Sequence, residues 1–406
     1  MSKYNNSSGN LVFGQLLSHL PKDRISTVIK RHGSDRYTKK FMTWDHLVVM
    51  LSAALSKTSA LRGIESSIAG FHNKLLHLGM RSLPKRSTLS EANAKRSADV
   101  FADIFKVTYQ KVAPFLPDSW PKNQKYMKNL FLVDSTTITL FKDILKACGR
   151  TPGNGKRKGG VKIHVGMHLS EETPSVVRIT SAATNDKKFM SEFKDPAPDT
   201  ILVFDKAYLN YTLYNHWDKN GVTYVTRKHK WCDISLKKEL PITDEEHGKG
   251  VRGERMVEMG HPKQEQKVVC REIVFYDSEK DRELTFITND TKMEASQIAE
   301  IYRQRWQIEL LFKRLKQNLQ LSDFLGDNEN AIRIQIWANL IADLLLTVIR
   351  KGMKTKKAYS TVATLVRIHL MNYVKLIDLL TKPGNINIFE ENHDTAQQTL
   401  KFTHPP

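Results

Sequence analysis

The sequence predicts an α/β protein in which a helical N-terminal part precedes a mixed-sheet core, a β-rich stretch interrupts that core, and helices close the chain. Two continuous apolar runs, Leu130-Phe131-Leu132-Val133 and Thr200 to Phe204, read as strands covered on both faces. Val161, Ile163, Val165 and Met167 alternate with Lys162, His164 and His168, as in a strand with one exposed face. Ile301 to Leu319 lacks proline and glycine, is rich in helix formers, and reads as one helix of about five turns.

Taken in order, residues 1 to about 115 read as helical. Phe13, Leu16, Leu17 and Leu20 suit a short amphipathic helix closed by Pro21. Trp44 to Leu55 and Leu61 to Leu78 suit longer ones. After Pro84, Thr88-Leu89-Ser90-Glu91 has the form of a capping box that starts a helix toward Val112. Lys85, Arg86, Lys95 and Arg96 surround that start, where free backbone N–H groups also favour a phosphate. Ala113 to Pro121 is a linker, after which the pattern changes to strands. The first apolar run ends on Asp134 and the second delivers Asp205, with Val176 to Ile179 as a strand and Thr184 to Phe193 as a turn and short helix between them. Tyr208 to Lys219 reads as a helix stopped at Asn220-Gly221, followed by a strand from Val222 to Thr226. Short β runs, Lys267 to Tyr276 and Glu283 to Thr288, then lead to the Ile301 helix, while the charged, glycine-bearing stretch Gly248 to Gly260 reads as mobile or ligand-ordered.

With 406 residues the chain can form two or three domains. Its 63 Lys plus Arg against 43 Asp plus Glu give a net charge of +20, which favours a polyanionic partner. Cys148, Cys232 and Cys270 are odd in number and far apart, which excludes a disulfide framework or a CxxC zinc site. The N-terminal MSKYNNSSGN has no apolar signal core, and Ile334 to Ile349 carries Gln335, Asn339 and Asp343 and is short for a bilayer span. The expectation is a cytoplasmic, nucleoid-associated protein that binds DNA or RNA rather than a membrane.

On a helical wheel, Ile301, Ile308, Phe312, Leu315 and Leu319 share an apolar face. Tyr302, Arg305, Glu309, Lys313 and Lys316 fall beside it within an arc of roughly 80°. Such a column also arises on a solvated helix flank through i,i+4 ion pairs. The spacing of Tyr302, Arg305, Glu309 and Lys316 resembles the Y-R-E-K signature of the DDE transposases of insertion sequence family four. Arg36 to His46, Leu61 to Ile64 and Arg86 to Arg96 are similar to the N-terminal domain of the same family.

This resemblance implies a ribonuclease H-like catalytic core with acids on the first strand, after the fourth strand and on a late helix, the places of Asp134, Asp205 and Glu309. Its expected layout is an all-α DNA-binding domain at 1–115, core at 122–229 and 293–330, a β-rich insertion at 230–292, and C-terminal helices at 331–406. It implies that Asp134, Asp205 and Glu309 are catalytic and ligate two Mg²⁺, which Mn²⁺ can replace, one ion on the attacking oxygen and one on the leaving oxygen. It implies DNA contacts from Tyr302, Arg305 and Lys316; outside the pattern, Lys313, one turn beyond Glu309, and, more weakly, Arg227, after the strand Val222 to Thr226, are further phosphate partners by their placement. It also implies a homodimer on paired transposon ends, with the helices after Ala331 as candidate contacts, and no nucleotide cofactor.

Other features carry less. Lys156-Arg157-Lys158 fits a DNA-backbone contact, since no Walker pattern accompanies it. His164 and His168 stand about 13 Å apart on a strand, too far for one ion, and read as solvent-facing. Relatives hold a flipped base with an aromatic in the insertion, where Trp231 begins, but core packing is the reading for Trp217, Trp231 and Trp306. Two rival functions stand beside transposition: a DNA-binding repressor without catalysis, and a structure-specific nuclease of the same fold.

Overall fold

The structure, a computed structural model, describes residues 11–70, 72–74, 76–116, 122–139, 160–184, 186–261, 264–321 and 323–381. Lys156-Arg157-Lys158 and Cys148 lie outside the described residues. Among the described residues nine strands build one mixed sheet: β1 (Leu130–Thr139), β2 (Gly160–His168), β3 (Val176–Ser181), β4 (Ile201–Phe204), β5 (Thr223–Arg227), β6 (Asp233–Glu239), β7 (Val251–His261), β8 (Gln264–Asp277) and β9 (Arg282–Thr288). Their order is β3-β2-β1-β4-β5-β9-β8-β7-β6. β4 lies parallel to both β1 and β5, whereas β2 and β9 join antiparallel at either side.

Helices cover both faces of the central strands, which is why β1 and β4 begin as unbroken apolar runs. Leu130 and Leu132 of β1, with Ile201 and Val203 of β4, pack on the side of Ile298, Ile301, Ile308 and Phe312. Phe131, Val133, Leu202 and Phe204 pack on the other side with Tyr208, Tyr214, Trp217 and Tyr224. Gly166, opposite Val133, gives the rings of Phe131 and Phe193 the space a Cβ would fill, at 2.6 and 2.7 Å.

Several elements differ from the sequence expectations. β1 runs five residues past Asp134 because Ser135 to Thr139 pair with β2. The stretch Gly248 to Gly260 is an ordered helix end and strand, zipped to β6 and β8. Strands β6 to β9 continue the central sheet through the β5–β9 pairing. β2 is buried on both faces, so His164 is buried beside Thr180 and Asp186, and His168 lies edge-on to Phe131. Thr88 and Glu91 make no capping box: a helix already starts at Arg86 and ends at Lys95, and a second runs Ala98–Val112. Asn330 fills that break, accepting from Ala98 N at 3.0 Å and donating to Asn93 O at 2.8 Å.

The longest helix, Glu329–Gly352, lies almost wholly inside the protein against helices Ala98–Val112 and Thr43–Ser56. At 24 residues it is long and apolar enough for a membrane, but its face-to-face burial makes it a core helix. The polar residues in its apolar run have partners. Gln320 N donates to Asn339 Oδ1 at 2.8 Å, Leu325 N to Gln335 Oε1 at 2.8 Å, and Asp343 receives Arg314.

One buried group in the helical part predicts acid lability. His46 bonds Asn93 Oδ1 at 2.8 Å, and burial pushes its imidazole down to about 3. The unfolded chain therefore takes up a proton near pH 6.5 that the folded chain refuses, so this contribution to stability is present above pH 6.5 and lost as pH falls toward 3. Urea unfolding at pH 7.5 and 5 should show a loss of stability of which His46→Gln removes roughly 2 kcal/mol; equal losses in both proteins would contradict it.

Candidate active site

Strand register brings the first two acids together. Val133 is paired with Phe204 across the parallel β1–β4 ladder, so Asp134 and Asp205 follow matched positions on adjacent strands. Side chains alternate along a strand, so Asp134 shares the face of Leu130 and Leu132, and Asp205 follows on from Ile201 and Val203. That face meets helices Ala295–Arg303 and Trp306–Asn318. Glu309 lies in the first turn of the second helix.

Arg305 connects the strand to the helix. Its Nη1 donates to Asp134 Oδ2, and its Nη2 donates to Glu309 Oε1 at 2.7 Å. Ile301 to Leu319 is therefore not one helix: the first ends at Arg303, and Arg305 N, Gln307 N and Ile308 N bond three residues back. This overwound turn aims the guanidinium inward at Asp134. Burial raises Asp134 to about 6, with Arg305 pulling down and Asp205 pushing up. Arg305 is held above its usual range by Asp134, Tyr302 and Glu309 despite burial. Asp205 caps a single turn, its Oδ1 accepting from Ala207 N at 3.1 Å.

The remaining predicted residues divide. Tyr302 is buried against Phe286, with Arg305 over its ring, so its hydroxyl does not reach the surface as a flank residue would. Lys316 stands with Nζ 3.5 Å from Thr136 Oγ1, beside the end of β1. Arg227, last in β5, lines a cleft of about 750 Å³ with Tyr302, Arg305, Trp306 and Glu309. Lys313 lines a separate cleft of about 290 Å³ with Glu172, Arg314 and Tyr359. Trp217 is core, as expected, but Trp231 and Trp306 are 66% and 51% exposed, each beneath a lysine. Arg96 is committed to Phe41 O and its ring, leaving Lys85, Arg86 and Lys95 at the surface.

Sequence reasoning passed over Asp186. Its Oδ1 accepts from Lys162 Nζ and Ser135 Oγ, both at 3.1 Å, on the sheet face opposite Asp134. Lys162 and His164 carried the signal, because the strand's polar alternates needed a partner. Among the described residues no three Asp, Glu, His or Cys side chains converge on one cation position. The donor chemistry nevertheless suits a hard divalent ion, with carboxylates only, and a guanidinium already bridges two of them.

Residues 125–345 match the family Transposase DDE domain. The chain belongs to the DDE transposase family. Its relatives include the putative transposase y4zB of Sinorhizobium fredii, 32% identical over 268 residues, which span 65% of this chain and 71% of that one. The putative transposase for insertion sequence element IS4SA of Synechocystis is 28% identical over 286 residues, 66% and 75% of the two chains. A third, the probable transposase for IS5377 of Geobacillus stearothermophilus, is 26% identical over 253 residues, 62% and 65%. Residues 8–81 match a Domain of unknown function (DUF4372). The resemblance carried by Tyr302, Arg305, Glu309 and Lys316 thus holds at the family level, and the transposase is a DNA-cleaving and DNA-joining enzyme of the kind that moves insertion sequences. Among the described residues, the single helix long and apolar enough for a bilayer is buried in the core and does not argue for a membrane location.

Proposed function

We propose that Asp134, Asp205 and Glu309 are the catalytic carboxylates, held in a ribonuclease H-like core, and that the transposase excises an insertion sequence and joins its 3′ ends to target DNA. The observation that carries this is the matched placement of Asp134 and Asp205 on β1 and β4, with Glu309 one guanidinium away from Asp134. The order β3-β2-β1-β4-β5 with β2 antiparallel supports the ribonuclease H-like reading. We assign Mg²⁺, or Mn²⁺ in its place, to these three acids; bound there, such ions supply Lewis-acid stabilisation of the phosphoryl oxygens.

The protein groups have defined parts. In the first step a water oxygen attacks the phosphodiester at the element end, giving up a proton to solvent or a carboxylate, and the 3′ oxygen leaves and is protonated to the hydroxyl. In the second, the freed 3′ hydroxyl attacks a phosphodiester and displaces a new 3′ oxygen, its proton passing to solvent or a carboxylate. Asp134 and Asp205 fix the strand-borne side of the reaction centre, and Glu309 closes it from the helix. Lys316 and Arg227 flank it and hold DNA phosphates, while Lys313 reaches the backbone beyond the neighbouring cleft. The transposase acts in the cytoplasm on nucleoid DNA as a homodimer, one protomer for each end. The long helix after Ala331 is buried and cannot supply that dimer contact, whereas the two helices beyond it expose Ile368 and Ile377.

The helical part at 1–115 is assigned to DNA ends. Its loop Arg36-Tyr37-Thr38-Lys39-Lys40 is exposed, with Tyr37 88% exposed. Lys22, Lys30 and Arg81 line a cleft on one side of it, and Lys95 one on the other. Changing Arg36, Lys39 and Lys40 together to alanine should weaken end binding and reduce the slope of log K against log salt by about 2 to 3. An unchanged slope would remove this loop from the interface.

A labelled duplex bearing the element end, incubated with the protein and Mg²⁺, tests the assignment. Nicked and then strand-transferred products are expected. Cleavage without joining, even from precut ends with a free 3′ hydroxyl, would favour a structure-specific nuclease.

A further inference from the structure

The Arg305 guanidinium occupies the space between two carboxylates that a metal would have to share. It gives Asp134 one edge and Glu309 another, and among the described residues its buried Nε has no hydrogen-bond partner. Without it, Asp134 and Glu309 would lose the cation they share, and Asp134, 15% exposed at its side chain, would face Asp205 on the adjacent strand uncompensated. We propose that Arg305 is the resident counter-cation of the metal-free enzyme and that a DNA phosphate draws it out, so that divalent ions bind tightly only once DNA is in place. This rests on the reading of Asp134 and Glu309 as metal ligands.

Three features support the exchange. A guanidinium pairs with phosphate in the same two-pronged way as with carboxylate, so leaving Asp134 and Glu309 for DNA costs little. Arg305 lies in the short turn between helices Ala295–Arg303 and Trp306–Asn318, where the bonding is three-residue rather than four-residue and the backbone can adjust without unwinding either helix. The cleft it would turn toward, about 750 Å³, is lined by acids as well as bases, with Arg282 paired to Asp277 and Arg303 to Glu300, and it is Arg227 and Lys280 that it presents to a phosphate backbone. A divalent ion and a guanidinium cannot both sit between the same carboxylates without strong repulsion, so occupancy by one excludes the other.

Linkage makes the coupling reciprocal: the factor by which DNA tightens metal binding is the factor by which metal tightens DNA binding. The device would withhold the reactive ions from an enzyme that has no end to cut.

Mn²⁺ binding to the full chain, followed by the loss of the free-ion electron paramagnetic resonance signal, tests it without activity. Arg305→Ala without DNA should bind Mn²⁺ on the order of tenfold more tightly than wild type. Wild type should gain a similar factor when a duplex is added, and Arg305→Ala should gain little. Arg305→Lys, which keeps a charge but loses the planar two-pronged fork, should fall between them, and thermal melts establish that each variant is folded. Equal Mn²⁺ affinity of folded Arg305→Ala and wild type without DNA, or a wild-type affinity that DNA leaves unchanged, would overturn the gate. Asp134→Asn on DNA separates the two readings. If it keeps full Mn²⁺ affinity, the ligand assignment itself fails; if it loses Mn²⁺ while Arg305→Ala has no effect, only the gate fails.

Discussion

Asp205→Ala is expected to lower strand cleavage at the element end by about a thousandfold or more while DNA affinity stays level or rises slightly. Metal-assisted stabilisation of the transition state is worth several kcal/mol, and each 1.4 kcal/mol is a factor of about ten in rate. The structural loss is small by comparison. Asp205 makes a single cap bond to Ala207 N, so its removal costs about 1 kcal/mol of stability and the variant should fold. DNA affinity is spared because a negative charge has been taken from a surface that meets phosphates. The measurement pairs single-turnover cleavage with a binding titration on the same labelled end. Wild-type rates in Asp205→Ala would remove this residue from the chemistry, and a parallel loss of binding would point to a folding defect instead.

Arg314→Ala should be among the most destabilising single changes in the chain. Arg314 reaches from helix Trp306–Asn318 to the long helix Glu329–Gly352, where its Nε and Nη2 meet both oxygens of Asp343 at 2.8 and 2.7 Å. Asp343 is fully buried, and Arg314 also lies over the Tyr359 ring at 4.7 Å. Truncating one partner leaves a buried carboxylate without its counter-charge, at a cost of about 3–5 kcal/mol. That is a large share of the roughly 5–15 kcal/mol that holds a typical folded domain. Denaturant titration should show the shift, and Arg314→Met with Asp343→Leu should recover part of it, because the double change leaves no buried charge without its counter-charge although the Glu172 carbonyl loses the Arg314 donor. A single variant as stable as wild type would mean that this pair does not fasten the Glu309 helix to the core.

Much of the site was legible in the residues because it rests on local rules. Two apolar runs delivering aspartates read as strands covered on both faces, and the structure pairs them as β1 and β4, with Asp134 and Asp205 on the face of Leu132 and Val203. Long-range events were not legible. Nothing in Ile301 to Leu319 signals a break, since it lacks proline and glycine and is rich in helix formers; the overwound turn at Arg305 goes with an ion pair to a residue 171 positions away. The Tyr302 hydroxyl read as a surface group because a wheel cannot show that Phe286 of β9 covers it. The same holds for His164, whose polar face met Asp186 rather than water. Gln335, Asn339 and Asp343 looked like flaws in an apolar helix, yet they are the groups that tie Gln320, Leu325 and Arg314 to it.

The most direct test is a crystal of the transposase on its element end, grown with Mn²⁺ and recorded at the manganese absorption edge. Anomalous peaks within coordination distance of Asp134 and Asp205, with Glu309 completing the set and Arg305 turned to a phosphate, are the predicted result. Peaks bound elsewhere, with Arg305 still clasped between Asp134 and Glu309 while DNA is cut, would contradict it.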